Sequence, residues 1–306
     1  WAKIERLNGD STERRVLDAL AKKLANRETG GTLEVLRRGF SMAGAGTLQM
    51  SQSLPEEGRN EAVLRRYRAH RLRVVRQLKF NPAREWSIDL VFFINGIPVA
   101  TWEVKSDFTQ DVESAIAQYK RDRSPRSPTG GDEPLLAFQR GALVHFAVST
   151  TEAWMCTKLE GDESYFLPFN QGNHGGAGNP PQPSGSDRYP VAYLWEETFR
   201  RDNLLRLIHR FFMFQRERRE DASGKRYWQE TMFFPRYHQW QAVTELDWAV
   251  RKEGVGQRYL LEHSAGSGKT MTIAWLCHLL IRMKAESGDD LFSSVIVVTD
   301  RTVLDD

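Results

Sequence analysis

Three residues whose side chains could carry out chemistry lie close together in the segment WSIDLVFFINGIPVATWEVKSD, which covers residues 86–107. Asp89 comes first, and Glu103 and Lys105 follow, two positions apart. Two carboxylates offer the oxygen ligands that a hard cation such as Mg²⁺ prefers. A bound metal activates water and neutralises charge on a phosphate, and a lysine can orient that water. The pattern therefore predicts metal-dependent phosphodiester hydrolysis, with Asp89 and Glu103 as metal ligands and all three residues catalytic.

The elements that must position these side chains are two strands of one hairpin. Residues 88–94 are apolar apart from Asp89, an Asn-Gly pair follows, and residues 99–104 form the return strand. Asn-Gly is typical of a type I′ hairpin turn. Glu103 and Lys105 share a face because side chains alternate along a strand. We expect the three residues to lie within about 5–6 Å of one another, because metal ligands must converge on one ion.

A simpler interpretation is a surface salt bridge between Glu103 and Lys105, since exposed charge pairs are common. The flanking residues Trp102 and Val104 are apolar and favour a buried strand. Buried charges that lack a partner or a metal are costly. The metal site is therefore the favoured interpretation.

A second motif, HSAGSGKT, occupies residues 263–270 between a short apolar run at 259–261 and a helical pattern at 271–280. Strand, glycine loop and helix are the context of a phosphate-binding loop, although His263 replaces the first glycine of the strict pattern. Backbone N–H groups of such a loop and the helix N-terminus bind phosphate. We predict ATP and Mg²⁺ as cofactors, with Thr270 as a metal ligand. The alternative is a chance glycine turn before a helix. The predicted nucleotide-binding residues of the loop are Gly266, Ser267, Gly268, Lys269 and Thr270.

Composition limits the remaining possibilities. The 306 residues carry a formal charge of +3 and contain only two cysteines, which have no companions at metal-binding spacing. No stretch is long and apolar enough to span a membrane. We expect a cytoplasmic chain with no membrane partner and with reduced, buried thiols.

The positive charge is concentrated between residues 62 and 84, where eight cations occur without an acid. One interpretation is a surface that contacts a nucleic-acid backbone beside the Asp89 strand. The other is a solvated helix face whose long side chains cover apolar surface. The sequence alone does not separate the two.

The remaining patterns predict an α/β fold with a mixed sheet. The predicted domains are a nuclease domain at 1–215, a charged linker at 216–226 and a nucleotide-binding domain at 227–306. Residues 161–189 are too rich in Gly, Pro and Asn for regular structure. The predicted helices cover residues 11–25, 60–71, the segment around Gln118, and 195–215, and further strands cover 73–78, 143–149 and 153–158.

Asp89, the Glu-x-Lys pair and a following helix that carries Gln118 resemble the PD-(D/E)xK nuclease domain of the restriction (motor) subunit of type I restriction-modification enzymes. That family has a Gln-x-x-x-Tyr motif on the helix. Here Asp122 occupies the tyrosine position. The resemblance therefore implies a catalytic role for Gln118 and for no tyrosine. The alternative for Gln118 is an ordinary exposed helix residue.

The nucleotide-binding part resembles superfamily 2 helicases. Gln239, in the segment PRYHQ, looks like the glutamine of the Q-type motif, which recognises adenine; the alternative is a solvent-facing helix residue. A buried strand is expected at 294–299, and the Asp300-Arg301 pair after it looks like motif Ia, which touches the nucleic-acid backbone. The strand is also consistent with simply the next strand of a RecA-like sheet.

The resemblance covers most of the chain and implies a nuclease domain followed by the start of a RecA-like translocase domain. It also implies double-stranded DNA as substrate, ATP and Mg²⁺ as cofactors, and assembly with methyltransferase and specificity subunits. The chain begins at Trp1, and no Walker B carboxylate follows the loop. We therefore expect a truncated, N-terminal part of a longer protein. Two alternatives remain: a standalone helicase-nuclease of repair or defence, and a catalytically silent DNA-binding or assembly module.

Overall fold

The computed structural model describes residues 2–26, 28–55, 60–81, 83–106, 111–285 and 287–298. The chain divides into two compact units, and each is described by itself. The first unit comprises residues 1–54 and 62–236, and the second comprises residues 55–61 and 237–306. Within the described ranges, no helix has the length and apolar character needed to cross a membrane.

A six-stranded mixed sheet, with strand order β3-β4-β5-β6-β7-β8, forms the centre of the first unit. Strands β5 and β6 run parallel, and every other neighbouring pair is antiparallel. The expected α/β class with a mixed sheet is therefore confirmed. The strands of this sheet are β3 (Leu72–Lys79), β4 (Ser87–Ile94), β5 (Ile97–Val104), β6 (Val144–Val148), β7 (Ala153–Cys156) and β8 (Leu167–Pro168).

The hairpin between β4 and β5 forms as predicted. Asn95 and Gly96 have φ values of 50° and 85°, so both central turn residues are left-handed. That combination defines a type I′ turn, whose twist matches the flanking strands. The chain before the sheet forms α1 (Ala2–Asn8), α2 (Thr12–Ala25), α3 (Thr32–Arg38), the small hairpin β1 (Phe40–Met42) and β2 (Gly46–Leu48), and α4 (Glu61–Arg68).

Both faces of the sheet are covered by apolar side chains. On one face lies α5 (Val112–Asp122), whose Ala115 and Tyr119 are fully buried in a cluster with strand residues such as Val91. Asp111 caps this helix by accepting a hydrogen bond from the Ser114 backbone N–H at 2.9 Å. On the other face, Trp102 packs against Phe92 and Phe199, with ring centroids 4.7 and 4.9 Å away.

The long amphipathic helix expected at 195–215 does not form. Two π-helical turns, Leu194–Thr198 and Leu207–Phe211, flank the short helix α6 (Arg201–Arg206). Arg200 is extended, with φ −62° and ψ 149°, and breaks the helical path. Its neighbour Phe199 is drawn into the aromatic cluster around Trp102, so tertiary packing overrides the helical periodicity.

Residues 216–226, which the sequence predicted to be a linker, belong to a β-hairpin of the first unit. Strand β9 (Met213–Glu220) pairs antiparallel with β10 (Arg226–Phe233). Asp221 closes the turn by accepting hydrogen bonds from the backbone N–H groups of Ser223 and Lys225. The charged residues stabilise the hairpin through cross-strand ion pairs such as Arg216–Glu230. The high density of charge at 216–226 therefore belongs to a solvent-exposed β-hairpin. The boundary of the first unit lies at residue 236.

The described part of the second unit holds helices α7 (Tyr237–Glu253) and α8 (Lys269–Leu280). Strands were predicted at 259–261 and 294–299. None is formed at 259–261 or over the described residues 294–298, and Leu260 and Val298 are each 89% exposed. Buried parallel strands require hydrogen-bonded neighbours and cover on both faces. The described residues of this unit contain only an isolated bridge, Lys284 to Asp290. The Asp300-Arg301 pair lies outside the described residues.

Candidate functional sites

Asp89 and Glu103 lie just beyond the last paired residues of β4 and β5. Leu90 pairs with Trp102, and continuing that register brings Asp89 opposite Glu103. The Oδ2 atom of Asp89 accepts a hydrogen bond from the Val104 backbone N–H at 2.8 Å. This bond takes the place of a ladder hydrogen bond and holds the Asp89 carboxyl against the end of β5.

Glu103 is completely buried, although it carries an ionisable group. Burial raises the pKa of Glu103 to about 8; the nearby Arg123 opposes this rise and the Asp89 carboxyl adds to it. Arg123 Nε donates to Glu103 Oε1 at 2.6 Å, in a pair whose side chains are 8% and 0% exposed. The other oxygen, Oε2, is buried and receives no hydrogen bond from an N–H or hydroxyl donor among the described residues. Its hydrogen bond with the Asp89 carboxyl requires a proton shared between the two groups, which further raises the pKa of Glu103.

A buried carboxylate oxygen that lacks an N–H or hydroxyl donor and lies next to a second carboxyl group fits a divalent cation. Leaving such an acceptor without a donor costs free energy that coordination to a metal recovers. Within the described residues there is no cluster of three or more His, Cys, Asp or Glu side chains around any point. Two carboxylates with water completing the shell are a usual arrangement for Mg²⁺, which dehydrates reluctantly. The residues therefore fit the predicted metal.

Lys105 follows directly after β5. Its backbone N–H donates to the Val148 carbonyl at 2.8 Å, so its position is set by β6. Its side chain is partly exposed, unlike that of Glu103. Strand alternation directs residues 103 and 105 towards the same face.

Gln118 lies on α5, the helix that packs against β5 and β6. Its side-chain oxygen is buried and has no hydrogen-bond partner within the part of the chain that the structure describes. The alternative of an ordinary exposed helix residue therefore does not apply. The next residue, Tyr119, instead shares a hydrogen bond with Thr101 at 2.8 Å, and Thr101 in turn contacts His145 Nδ1 at 2.7 Å.

Two residues at this site were missed by sequence reasoning. Arg123 lies in the charged run KRDR, which is typical of a solvated helix end, yet its side chain is buried against Glu103. Gln77 Nε2 donates to Asp89 Oδ1 at 2.6 Å from the neighbouring strand β3. No local pattern marked Gln77, because its contact depends on strand pairing.

The glycine loop of the second unit leads into α8 as its motif predicted. Gly268 is left-handed, with φ 82°, and caps the helix, which begins at Lys269. Lys269 Nζ donates to the carbonyl oxygens of His263 at 2.9 Å and Ser264 at 3.2 Å. Thr270 is exposed in the first helical turn. Positively polarised N–H groups and a lysine thus surround one helix N-terminus, an arrangement that suits a phosphate group.

Gln239 is buried on α7 and contacts this loop. Its Nε2 donates to the carbonyl oxygens of Ser267 at 3.2 Å and Gly268 at 3.0 Å. His238 Nε2 lies 3.0 Å from the same Ser267 oxygen. The alternative of a solvent-facing Gln239 is therefore excluded. The left-handed φ of 82° at position 268 favours glycine, and a Cβ there would also come within 2.5 Å of the Gln239 amide nitrogen.

Two segments of the chain match two restriction-enzyme families. Residues 2–164 match the family described as type I restriction enzyme R protein N terminus. Residues 232–306 match the family described as type III restriction enzyme, res subunit. The first match covers more than half of the chain, so the chain belongs to the type I restriction enzyme R protein family, as its motifs predicted.

A particular relative supports the same assignment. Over 223 residues the chain is 26% identical to the putative type I restriction enzyme MjaVIIIP endonuclease subunit of Methanocaldococcus jannaschii. That alignment covers 66% of this chain and 18% of the relative. The chain therefore spans less than a fifth of the length of the relative that it matches.

Proposed function

We propose that this chain is the endonuclease part, and the beginning of the ATP-dependent translocase, of a type I restriction enzyme that cleaves double-stranded DNA. The observation that carries the proposal is the buried Oε2 of Glu103, which receives no N–H or hydroxyl donor among the described residues, beside the Asp89 carboxyl. In this proposal the first unit has the PD-(D/E)xK fold. The second unit contributes to a RecA-like domain, and methyltransferase and specificity subunits complete the enzyme.

At the nuclease site, Asp89 and Glu103 would hold Mg²⁺, which would supply an activated water and charge neutralisation at the phosphate. The Val104 N–H fixes Asp89, and Arg123 fixes one oxygen of Glu103 so that the other remains free. The Lys105 ammonium group orients the attacking water and stabilises negative charge on the phosphate. We propose that the Gln118 side-chain amide, which projects from α5, makes a further contact within this nuclease site.

At the nucleotide site, backbone N–H groups of Gly266, Ser267 and Gly268 bind the ATP phosphates. With ATP bound, Lys269 would contact the β/γ-phosphates in place of the His263 and Ser264 carbonyls, and Thr270 would hold Mg²⁺ through its hydroxyl. We propose that Gln239, which already contacts the loop, recognises adenine. ATP turnover would then drive movement along the DNA.

The test is cleavage of supercoiled plasmid by the chain, within its full-length protein, assembled with methyltransferase and specificity subunits. We expect cutting that needs Mg²⁺ and ATP, and that is lost in Asp89→Asn while ATP turnover remains. Cutting without the partner subunits would identify a standalone helicase-nuclease instead. An assembled complex that never cuts would indicate a silent DNA-binding module.

A further inference from the structure

Gln77 occupies an unusual backbone position in the edge strand β3. The residues on either side pair regularly with β4, Arg76 with Leu90 and Leu78 with Ile88, so Gln77 stands opposite Asp89. Its φ of 49° lies in the left-handed region. For a residue other than Gly, Asn or Asp, that conformation costs about 1–2 kcal/mol. Some other interaction must therefore hold it there.

The side chain of Gln77 has two specific contacts. Its Nε2 donates to Asp89 Oδ1 at 2.6 Å, and its Oε1 accepts from the Ser87 hydroxyl at 2.9 Å. Because a carboxylate only accepts hydrogen bonds, Asp89 fixes which end of the amide faces it, and the Ser87 hydroxyl donates to the other end. With the Val104 N–H on Oδ2, each Asp89 oxygen receives one donor from a strand beside it, and each retains a further lone pair.

Gln77 is exposed, so core packing does not account for its strained conformation. Backbone strain that persists without a packing reason occurs preferentially at functional sites. If only the backbone conformation mattered at position 77, glycine or asparagine would adopt it with less strain. The long amide is the feature that reaches Asp89.

We propose that Gln77 is a positioning residue, which holds the Asp89 carboxylate in the orientation that binds the metal. The inference rests on the proposed nuclease function, because it assumes that Asp89 is a metal ligand. Hydrogen bonds from outside the ligand set typically change metal affinity or activity by about 10–100-fold. Ser87 acts one step further out, by orienting the Gln77 amide.

The test compares Gln77→Gly with wild type in the intact chain. Glycine removes the amide and also relieves the backbone strain, so thermal stability should be unchanged or higher. We expect the Kd for Mn²⁺, measured by electron paramagnetic resonance of free Mn²⁺, to rise about tenfold or more. Ser87→Ala should shift the Kd in the same direction by less. Val74→Ala, at an exposed position of the same strand, is the control and should leave the Kd unchanged.

A second readout uses the assembled enzyme. Gln77→Gly should raise the Mg²⁺ concentration for half-maximal cleavage about tenfold, while saturating Mg²⁺ restores most of the rate. An unchanged Mn²⁺ Kd in Gln77→Gly, with wild type and Asp89→Ala clearly different, would overturn the role of Gln77 alone. If wild type and Asp89→Ala bind Mn²⁺ equally poorly, the proposed nuclease function falls, and the inference falls with it.

Discussion

At the residue scale, the Glu103–Arg123 ion pair sets the position of one of the two carboxyl groups of the site. Arg123 holds one Glu103 oxygen at 2.6 Å. The other oxygen receives no N–H or hydroxyl donor among the described residues, and the Asp89 carboxyl group is its neighbour. Removing one partner of a buried ion pair typically costs about 3–5 kcal/mol, because the remaining charge is left uncompensated. Substitutions of Arg123 will therefore confound folding with chemistry, and Lys105 gives a cleaner test.

Lys105→Ala should abolish cleavage without unfolding the chain. Its side chain is partly exposed, and the bond that fixes its position is made by the backbone to Val148. Loss of one charge-stabilising group typically costs about 10²–10³ in rate. The measurement is single-turnover cleavage by the assembled enzyme, with circular dichroism as a folding check. Lys158→Ala, at a partly exposed lysine paired with Glu160 and outside the basic run, is the matched control. A Lys105→Ala rate near that of wild type would contradict the assignment.

Gly268→Ala should weaken nucleotide binding more than the backbone strain alone explains. The new Cβ would stand 2.5 Å from Gln239 Nε2, and φ is 82°. Gly256→Ala is the matched control, because Gly256 is also left-handed, at 90°, and has open space around it. We expect the Kd of a fluorescent ATP analogue to rise at least tenfold in Gly268→Ala and to stay near wild type in the control. Equal affinities in the two variants would show that the Gln239 contact is unimportant for binding.

At the element scale, edge strand β3 brings positive charge next to the Asp89 strand. Arg73 and Arg76 are exposed, and neither makes an ion pair with the residues that the structure describes. Each phosphate neutralised by a cation contributes about 0.9 to the salt dependence of DNA binding. The strand therefore favours the interpretation of the basic run as a DNA-backbone surface.

The double variant Arg73→Ala/Arg76→Ala should bind duplex DNA more weakly and with a flatter salt dependence. The slope of log Kd against log salt concentration should fall by about 2, because two phosphate contacts are lost. Fluorescence anisotropy with a labelled duplex measures it. Arg219→Ala, at an arginine that pairs with Glu217 on β9, should leave the slope unchanged. An unchanged slope in the double variant would assign the basic run to a solvated face instead.

Elements were predictable from sequence where local signals decide them. The Asn-Gly turn fixes the pairing of Ile94 with Ile97, because a two-residue turn sets the strand register. A one-residue shift at Phe92 and Phe93 then brings Asp89 opposite Glu103 instead of Trp102, which the turn alone does not predict. The 195–215 helix failed because Phe199 is buried against Trp102, a contact that helical periodicity does not encode. Gln77 and Arg123 were not predicted, for the same reason. Their partners are 12 and 20 residues away in sequence, and local patterns do not encode such contacts.

At the scale of the whole molecule, the buried His145 and the half-buried His209 couple folding of the first unit to pH. Burial lowers the pKa of His145 to about 3. Burial, together with Arg37, Arg210 and His70, lowers the pKa of His209 to about 4. Both values lie below the unfolded value of about 6.5. The unfolded chain therefore binds more protons at acid pH, and stability present above pH 6.5 is lost as the pH falls towards 4.

Between pH 7.5 and 5.5, each of these two histidines should remove about 1 kcal/mol from the free energy of unfolding. Urea titrations at the two pH values, followed by tryptophan fluorescence, measure the change. His145→Gln should show a smaller loss over this interval than wild type. His174→Asn serves as the control, because His174 is exposed and asparagine tolerates its left-handed φ of 47°. An equal loss in wild type and His145→Gln would contradict the role of His145.

The uncovered apolar residues of the second unit bear on how the chain behaves in concentrated solution. Residues 294–298 form an uncharged run of one serine and four β-branched aliphatic residues, in which Ile296 and Val298 are 83% and 89% exposed. Such runs are templates for strand pairing between molecules. Colloidal stability should therefore be limited by this short run. Replacing Ile296 with lysine should raise the concentration at which light scattering first appears.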